Sequence, residues 1–243
     1  MSKTLVLDPG HGGSDPGAVG NGLREKDLTL DICKRIKKYL EDNYTGIKVH
    51  MTRTTDKYLS LSQRAQYANN KKADLFVSVH INAGGGTGYE DFIYNKLSNT
   101  SATAKMRNTF HTEVVKEQSF WRNRGKKKAN FAVLRETKMA AILTENGFID
   151  TKSDADKLKK SSYLDKIAKG HAEGIAKALN LKKKTTLSTN ENTTTSTKKT
   201  TTNSKKTFYR VVAGSYTERK NADAQVARLK KAGFDAFIDV YQK

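Results

Sequence analysis

Four residues could carry chemistry together: His11, Glu25, His80 and Glu145. His11 lies inside Val6-Leu7-Asp8-Pro9-Gly10-His11-Gly12-Gly13-Ser14-Asp15-Pro16-Gly17, a stretch that holds both prolines of the chain and four of its glycines. A short apolar run therefore enters a stiff, sharply turned loop with a histidine at its centre. His80 stands near the end of the strongest strand signal, Ala73 to Ala83, just before Gly84-Gly85-Gly86. Glu145 sits near the far end of the apolar run Ala140 to Ile149. An acid in that position is costly unless it is used. Glu25 lies in a loop ahead of a helix. Two histidines and a carboxylate are the ligand set of hydrolytic zinc, with a fourth position open. A further carboxylate outside that set can serve as acid and base. A phosphate-cradling loop is the rival reading of the first stretch, but neither G-x-x-x-x-G-K-[ST] nor G-x-G-x-x-G fits it.

The elements that must position these residues follow from periodicity. Leu5-Val6-Leu7 reads as a buried strand, so His11 falls in the loop at its carboxyl end, where open α/β sheets bind ligands. Asp27 to Leu40 reads as a helix with Leu28, Ile32, Ile36 and Leu40 on one face and Asp27 as N-cap. Ile47–Met51 alternates as a strand, and a second helix carries Leu61, Arg64, Ala65 and Ala68. A strand at Tyr89–Tyr94, a helix from Ala102 to Gln118, a short extended piece at Phe131–Leu134 and a last helix from Tyr163 to Leu179 complete the domain. Strands alternating with helices predict an α/β domain with a mixed, largely parallel sheet flanked by helices. His50, His111 and His171 read as structural or solvent-exposed, Arg53 and Arg64 as braces of the fold, and Trp121 to Lys128 as a solvated basic loop.

Beyond Leu181 the composition changes. Residues 182–207 are rich in Thr, Ser, Asn and Lys and read as a disordered linker, following a catalytic domain at 1–181. Residues 208–243 read as a small βαβ unit: a strand at Phe208 to Ala213, a helix from near Thr217 ended by Gly233, and a strand at Phe234–Tyr241. A unit of this size is below the roughly 40 residues at which a lone domain supports itself. Its unpaired strand edge predicts dimerisation through residues 208–243.

The net charge is +20, of which +11 belongs to residues 1–181, +6 to 182–206 and +3 to 207–243. That favours a polyanionic partner: nucleic acid, anionic lipid or the phosphate-rich polymers of a bacterial wall. No nucleic-acid reading motif is found, so nucleic acid is not an expected partner. No apolar run approaches the roughly 18 residues of a membrane span, so no membrane insertion is expected. The start Met1-Ser2-Lys3 runs straight into the first strand without signal-peptide features, which predicts synthesis in the cytoplasm and action after release. The single cysteine, Cys33, excludes an intramolecular disulfide and a multi-cysteine zinc site, and reads as a buried thiol.

Asp8-Pro9-Gly10-His11-Gly12-Gly13, Glu25-Lys26, Ser78-Val79-His80-Ile81-Asn82-Ala83 and Thr144-Glu145-Asn146-Gly147-Phe148 together resemble the zinc-dependent N-acetylmuramoyl-L-alanine amidases. The resemblance spans residues 3–180 and includes Thr52-Arg53-Thr54-Thr55-Asp56 and Asn130-Phe131-Ala132-Val133-Leu134-Arg135. It implies that His11, Glu25 and His80 are ligands of Zn2+ and that Glu145 is the catalytic acid and base. The implied reaction cleaves the amide between the lactyl group of N-acetylmuramic acid and L-alanine in peptidoglycan, with peptidoglycan and anionic wall polymers as partners. An enzyme of that kind fits a phage endolysin or the lysis of a sporulating mother cell. A non-catalytic wall-binding protein on the same fold is the alternative. Residues 207–243 resemble half of a sporulation-related (SPOR) wall-binding domain, in Tyr209-Arg210-Val211-Val212-Ala213-Gly214-Ser215-Tyr216 and Lys231-Ala232-Gly233-Phe234.

Overall fold

In the computed structural model, which describes residues 2–184, 214 and 216–232, the chain forms two compact units, Met1–Ser188 and Thr189–Lys243. The first unit runs β1 (Lys3–Pro9), β2 (Val19–Gly20), β3 (Leu23–Arg24), α1 (Glu25–Asn43), β4 (Tyr44–Thr45), β5 (Ile47–Met51), α2 (Leu61–Asn70) and β6 (Leu75–Asn82). It continues with β7 (Tyr89–Tyr94), α3 (Ala102–Glu117), β8 (Asn123–Ala129), α4 (Ala132–Arg135), β9 (Ala140–Phe148), α5 (Lys152–Leu158), α6 (Ser161–Ala178) and β10 (Lys182–Lys183). Six strands form one sheet in the order β5-β1-β6-β9-β7-β8. All neighbours are parallel except β7 and β9, which run antiparallel. This is the mixed, largely parallel α/β sheet that the alternation of elements predicts.

Alternation along the strands divides the core. Leu5, Leu7, Val77, Val79, Ile81 and Ile142 join the apolar stripes of α1, α3 and α6 on one face. Val6, Phe76, Ala141 and Leu143 meet Ala68 of α2 and Val133 and Leu134 of α4 on the other. Leu28, Ile32, Ile36 and Leu40 are buried along one side of α1, each worth about 1.5–3 kcal/mol against exposure. On this second face α2 and α4 cover the amino-terminal part of the strands, and His80, Asn82 and Glu145, nearer the carboxyl ends, are only partly buried.

Three local expectations are corrected. Helix α1 begins at Glu25 instead of Asp27, and its N-cap Arg24 gives no side-chain bond. The loop supplies the caps instead: Glu25 N–H donates to the Ala18 carbonyl (2.9 Å) and Lys26 N–H to that of Pro16 (3.1 Å). Glu25 is therefore a residue of the first helical turn, not of the loop. Phe131–Leu134 is not extended, because Ala132–Arg135 closes a helical turn that drives Val133 and Leu134 into the core. The basic loop contains strand β8, paired in parallel with β7, a lysine-rich edge of the kind that discourages strand addition.

The remaining histidines serve the structure. His111 Nδ1 lies 2.6 Å from Asp91 Oδ2, and His171 is fully buried, with burial pushing its pKa down to about 4. His50 is half-buried, and Cys33 is buried. Strand β10 pairs with β4, so regular structure continues to Lys183, within the stretch read as linker. In the second unit α7 (Arg219–Lys231) leaves Ala222, Val226 and Leu229 half-buried at the predicted spacing. The strands expected at Phe208 to Ala213 and Phe234–Tyr241, and the helix stop at Gly233, lie outside the described residues.

Candidate metal and catalytic centre

Three segments meet at the carboxyl ends of β1, β6 and β9, the edge of a parallel sheet where ligands bind. The loop after β1 is held from behind by two buried arginines. Arg53 Nη2 donates to the carbonyls of Gly10 and Lys26 (both 2.8 Å). Arg64 donates to Pro9 and His11 carbonyls (both 2.7 Å) and pairs with buried Asp8 at 2.9 Å. These bonds keep His11 at φ 60°, a left-handed conformation that few non-glycine residues adopt. Two glycines are dictated by contact. A Cβ at Gly10 would lie 2.3 Å from the His80 ring, and one at Gly17 (φ +64°) would lie 2.6 Å from His11 and 2.7 Å from Glu25.

His11, Glu25 and His80 converge, offering three ligand atoms that all lie within 4.8 Å of one another. His11 Nε2 is 3.2 Å from Glu25 Oε2, and His80 Nδ1 is 3.0 Å from Glu25 Oε1. The two contacts fall on different oxygens of Glu25, and one donor atom from each residue lies within 4.8 Å of the others, close enough for side-chain adjustment to bring all three onto a zinc ion with bonds of about 2.0–2.1 Å. Outer partners orient the donors of His11 and Glu25, as around metal ligands generally, while His80 is held through its backbone. His11 Nδ1 lies 2.8 Å from Asp15 Oδ2, which leaves Nε2 facing the cluster. Glu25, almost wholly buried, accepts from the N–H of Ala18 (2.9 Å) and of Ile81 (3.0 Å). Asn146 Nδ2 donates to the His80 carbonyl (3.0 Å).

Electrostatics separates the two glutamates. Burial favours the neutral form of Glu25, yet the hydrogen bonds from His11 and His80 hold its pKa well below the usual range. Burial by itself lowers the pKa of His11, but the Glu25 and Asp15 carboxylates lift it to about 9. His80 is likewise raised, by Glu25, against its burial. Glu145 is the register partner of His80 across β6 and β9, on the same open face. Burial pushes its pKa up to about 7, opposed by His80 and assisted by Glu25 and Glu90. Its Oε2 is sealed from solvent and has no hydrogen-bond partner among the described residues. The cluster thus joins three potential ligands to a carboxyl group that can both accept and release a proton near neutrality.

The four residues singled out from sequence come together here, and none lies elsewhere. Sequence reasoning missed Asp15, four residues after His11 in the same loop, and Asn146, next to Glu145. It also missed the row formed by Glu90, Arg124 and Lys127 beside Glu145. Asp15 could have been found as an acid one loop turn from the histidine. The row could not, since it depends on β8 pairing with β7.

A family model described as N-acetylmuramoyl-L-alanine amidase matches residues 5–177, and a SPOR domain model matches residues 172–239. The sporulation-specific N-acetylmuramoyl-L-alanine amidase of Bacillus subtilis is 44% identical over 234 residues, covering 96% of this chain and 83% of the relative. An endolysin of Bacillus phage SPP1 is 50% identical over 188 residues, 76% of this chain and 69% of that one. Among solved structures, the N-acetylmuramoyl-L-alanine amidase from Clostridium difficile 630 superposes with a TM-score of 0.70 at 38% identity, over 74% of this chain and 97% of that one. The catalytic domain of CwlV, the amidase from Bacillus (Paenibacillus) polymyxa, gives 0.69 at 33% identity, over 74% and 99%.

Proposed function

The chain belongs to the N-acetylmuramoyl-L-alanine amidase family, and from that premise we propose that His11, Glu25 and His80 hold a zinc ion while Glu145 moves the proton. The enzyme acts on peptidoglycan, hydrolysing the amide between N-acetylmuramic acid and L-alanine. The observation that carries the assignment of roles is the meeting of two imidazoles and one carboxylate beside an unpartnered glutamate.

Zinc bound there would supply a Lewis acid for the scissile carbonyl oxygen and would make water easier to deprotonate. Glu145 then takes a proton from the attacking water and delivers it to the amide nitrogen, so that the amine leaves neutral. Burial, which raises the Glu145 pKa to about 7 in the metal-free protein, favours a carboxyl that can both take up and give back a proton. Asp15 holds the His11 ring, Asn146 the His80 backbone, and Arg64 the loop that carries His11. Hydrolysis of purified peptidoglycan should expose new L-alanine amino groups. Exhaustive chelation should stop that release and zinc should restore it. Release by protein shown to be metal-free by elemental analysis would remove the metal from the reaction.

The remaining organisation is proposed on the same footing. The catalytic domain runs through strand β10 to residue 184, past the boundary at 181 that composition suggests, with a tether to about residue 207 and, at 208–243, a unit that binds the wall or pairs with a second copy. The SPOR match supports a peptidoglycan-binding role for that C-terminal part. No helix among the described residues is long and apolar enough to cross a membrane. Action on peptidoglycan puts the work of the protein at the cell wall.

A further inference from the structure

The open face of the sheet carries a second polar constellation beside the catalytic one. His80 of β6 is the register partner of Glu145 of β9, and Glu145 is in turn the cross-strand partner of Glu90 of β7. Directly paired residues of neighbouring strands point to the same face. Glu90 is buried, its Oε1 accepting from Asn82 Nδ2 (2.8 Å) and its Oε2 facing two cations of β8. Arg124 Nε lies 2.8 Å from that oxygen, and Lys127 Nζ pairs with the same atom. One carboxylate therefore meets two cations, and a net positive charge remains on the face.

Arg124 spends only Nε on Glu90. Its terminal nitrogens have no partner among the described residues, and its guanidinium carbon stands 4.8 Å from the centre of the Phe148 ring. The Nε bond and the aromatic plane fix the guanidinium while leaving its outer N–H groups free. That is a preorganised receptor for a planar anion, since two parallel N–H groups match the two oxygens of a carboxylate. Lys127 adds a second charge next to it. Both side chains remain partly exposed, at 28% and 38%.

We propose that Arg124 and Lys127 form a subsite that binds a free carboxylate on the stem peptide of the substrate. Position argues for the stem peptide over the phosphates of other wall polymers. Strands lie about 4.8 Å apart, so β8 is about 14 Å from the strand of His80 and about 10 Å from that of Glu145. A peptide extended across the face at about 3.3 Å per residue covers that distance in three or four residues. A carboxylate reached this way is part of the same molecule as the scissile amide. Its capture would orient the peptide over Glu145.

The inference rests on the amidase reading, and one experiment separates the two. Soluble muramoyl peptides free of phosphate polymers are prepared in two forms, differing only in whether the stem carboxylates are free or amidated. The wild-type enzyme should prefer the free form by about tenfold in kcat/KM, the scale of one charged hydrogen-bonded pair, and mainly through KM. In Arg124→Gln and in Lys127→Gln that ratio should fall towards one. Arg124→Lys, which keeps charge but loses the fork, should restore it only in part. Wild type that cleaves both forms equally, or variants that slow both forms by the same factor, would overturn the subsite and leave the amidase reading intact. A variant effect confined to walls carrying phosphate polymers would also overturn it, in favour of a polymer contact. Wild type inactive on both forms would overturn the amidase reading and the subsite together. Thermal melts of each variant, and the independent Lys127 substitution, keep a folding defect from imitating the result.

Discussion

Glu25 and Glu145 flank the same histidine yet hold their protons in opposite ways, one depressed by two imidazoles and the other raised by burial. Pairs of carboxyls pushed apart in this manner mark a fixed charge and a mobile proton. Glu145 binds its proton more tightly in the folded chain than in the unfolded one. Its contribution to the stability of the metal-free protein is therefore complete below about pH 4.5 and is lost as the pH rises through about 7. Glu145→Gln removes that loss. Metal-free Glu145→Gln should be more stable than metal-free wild type by about 1–3 kcal/mol at pH 8 and indistinguishable from it at pH 4. Denaturant unfolding at the two pH values checks this, and equal stability at both would mean that the carboxyl is solvated. The same substitution should cut turnover by about 10²–10⁴ with little change in KM, because only the proton transfer is lost.

At the scale of elements, the loop after β1 is the part whose shape is most dictated. Asp8 is fully buried among Arg64, Thr52 and Ser78, and Arg64 also holds the carbonyls of Pro9 and His11. Arg64→Met strands a buried carboxylate and should cost about 3–5 kcal/mol, read as a lowered denaturant midpoint. A loss under 1 kcal/mol would show that water replaces the guanidinium. This brace was legible in the sequence, as were the strands that carry His80 and Glu145, because their apolar runs are long and reach glycine at Gly84 and Gly147. Strand β8 was not legible. Its Asn-Arg-Gly-Lys-Lys-Lys-Ala has no buried face of its own, and pairing with β7 makes it a strand. The start of α1 was also missed, because its caps are loop carbonyls from residues 16 and 18 instead of a side chain. With β8 hidden, the Glu90–Arg124–Lys127 row beside Glu145 was hidden too.

At the scale of the molecule, the charge of +20 and the C-terminal unit belong together. The +6 of residues 182–206 falls within the span that the SPOR model matches, 172–239, where it adds attraction to an anionic wall. Association with isolated wall should weaken as salt rises past the ionic strength at which the Debye length is about 10 Å, near 0.1 M. Binding that is indifferent to salt would assign it to apolar or sugar contacts instead. If residues 208–243 pair between chains, light scattering at micromolar concentration should find the full chain dimeric and a chain ending at Lys184 monomeric. A monomeric full-length protein would contradict the pairing.

Zinc content distinguishes the roles of His11, Glu25, His80 and Glu145 in a single assay. Wild type, His11→Ala, Glu25→Gln, His80→Ala and Glu145→Gln are each loaded with zinc, passed through a chelating resin and analysed for metal per chain. About one zinc per chain should remain in wild type and in the slowed Glu145→Gln, and little in the other three. Zinc lost from Glu145→Gln, or retained in full by Glu25→Gln, would contradict this assignment and exchange the roles of the two glutamates.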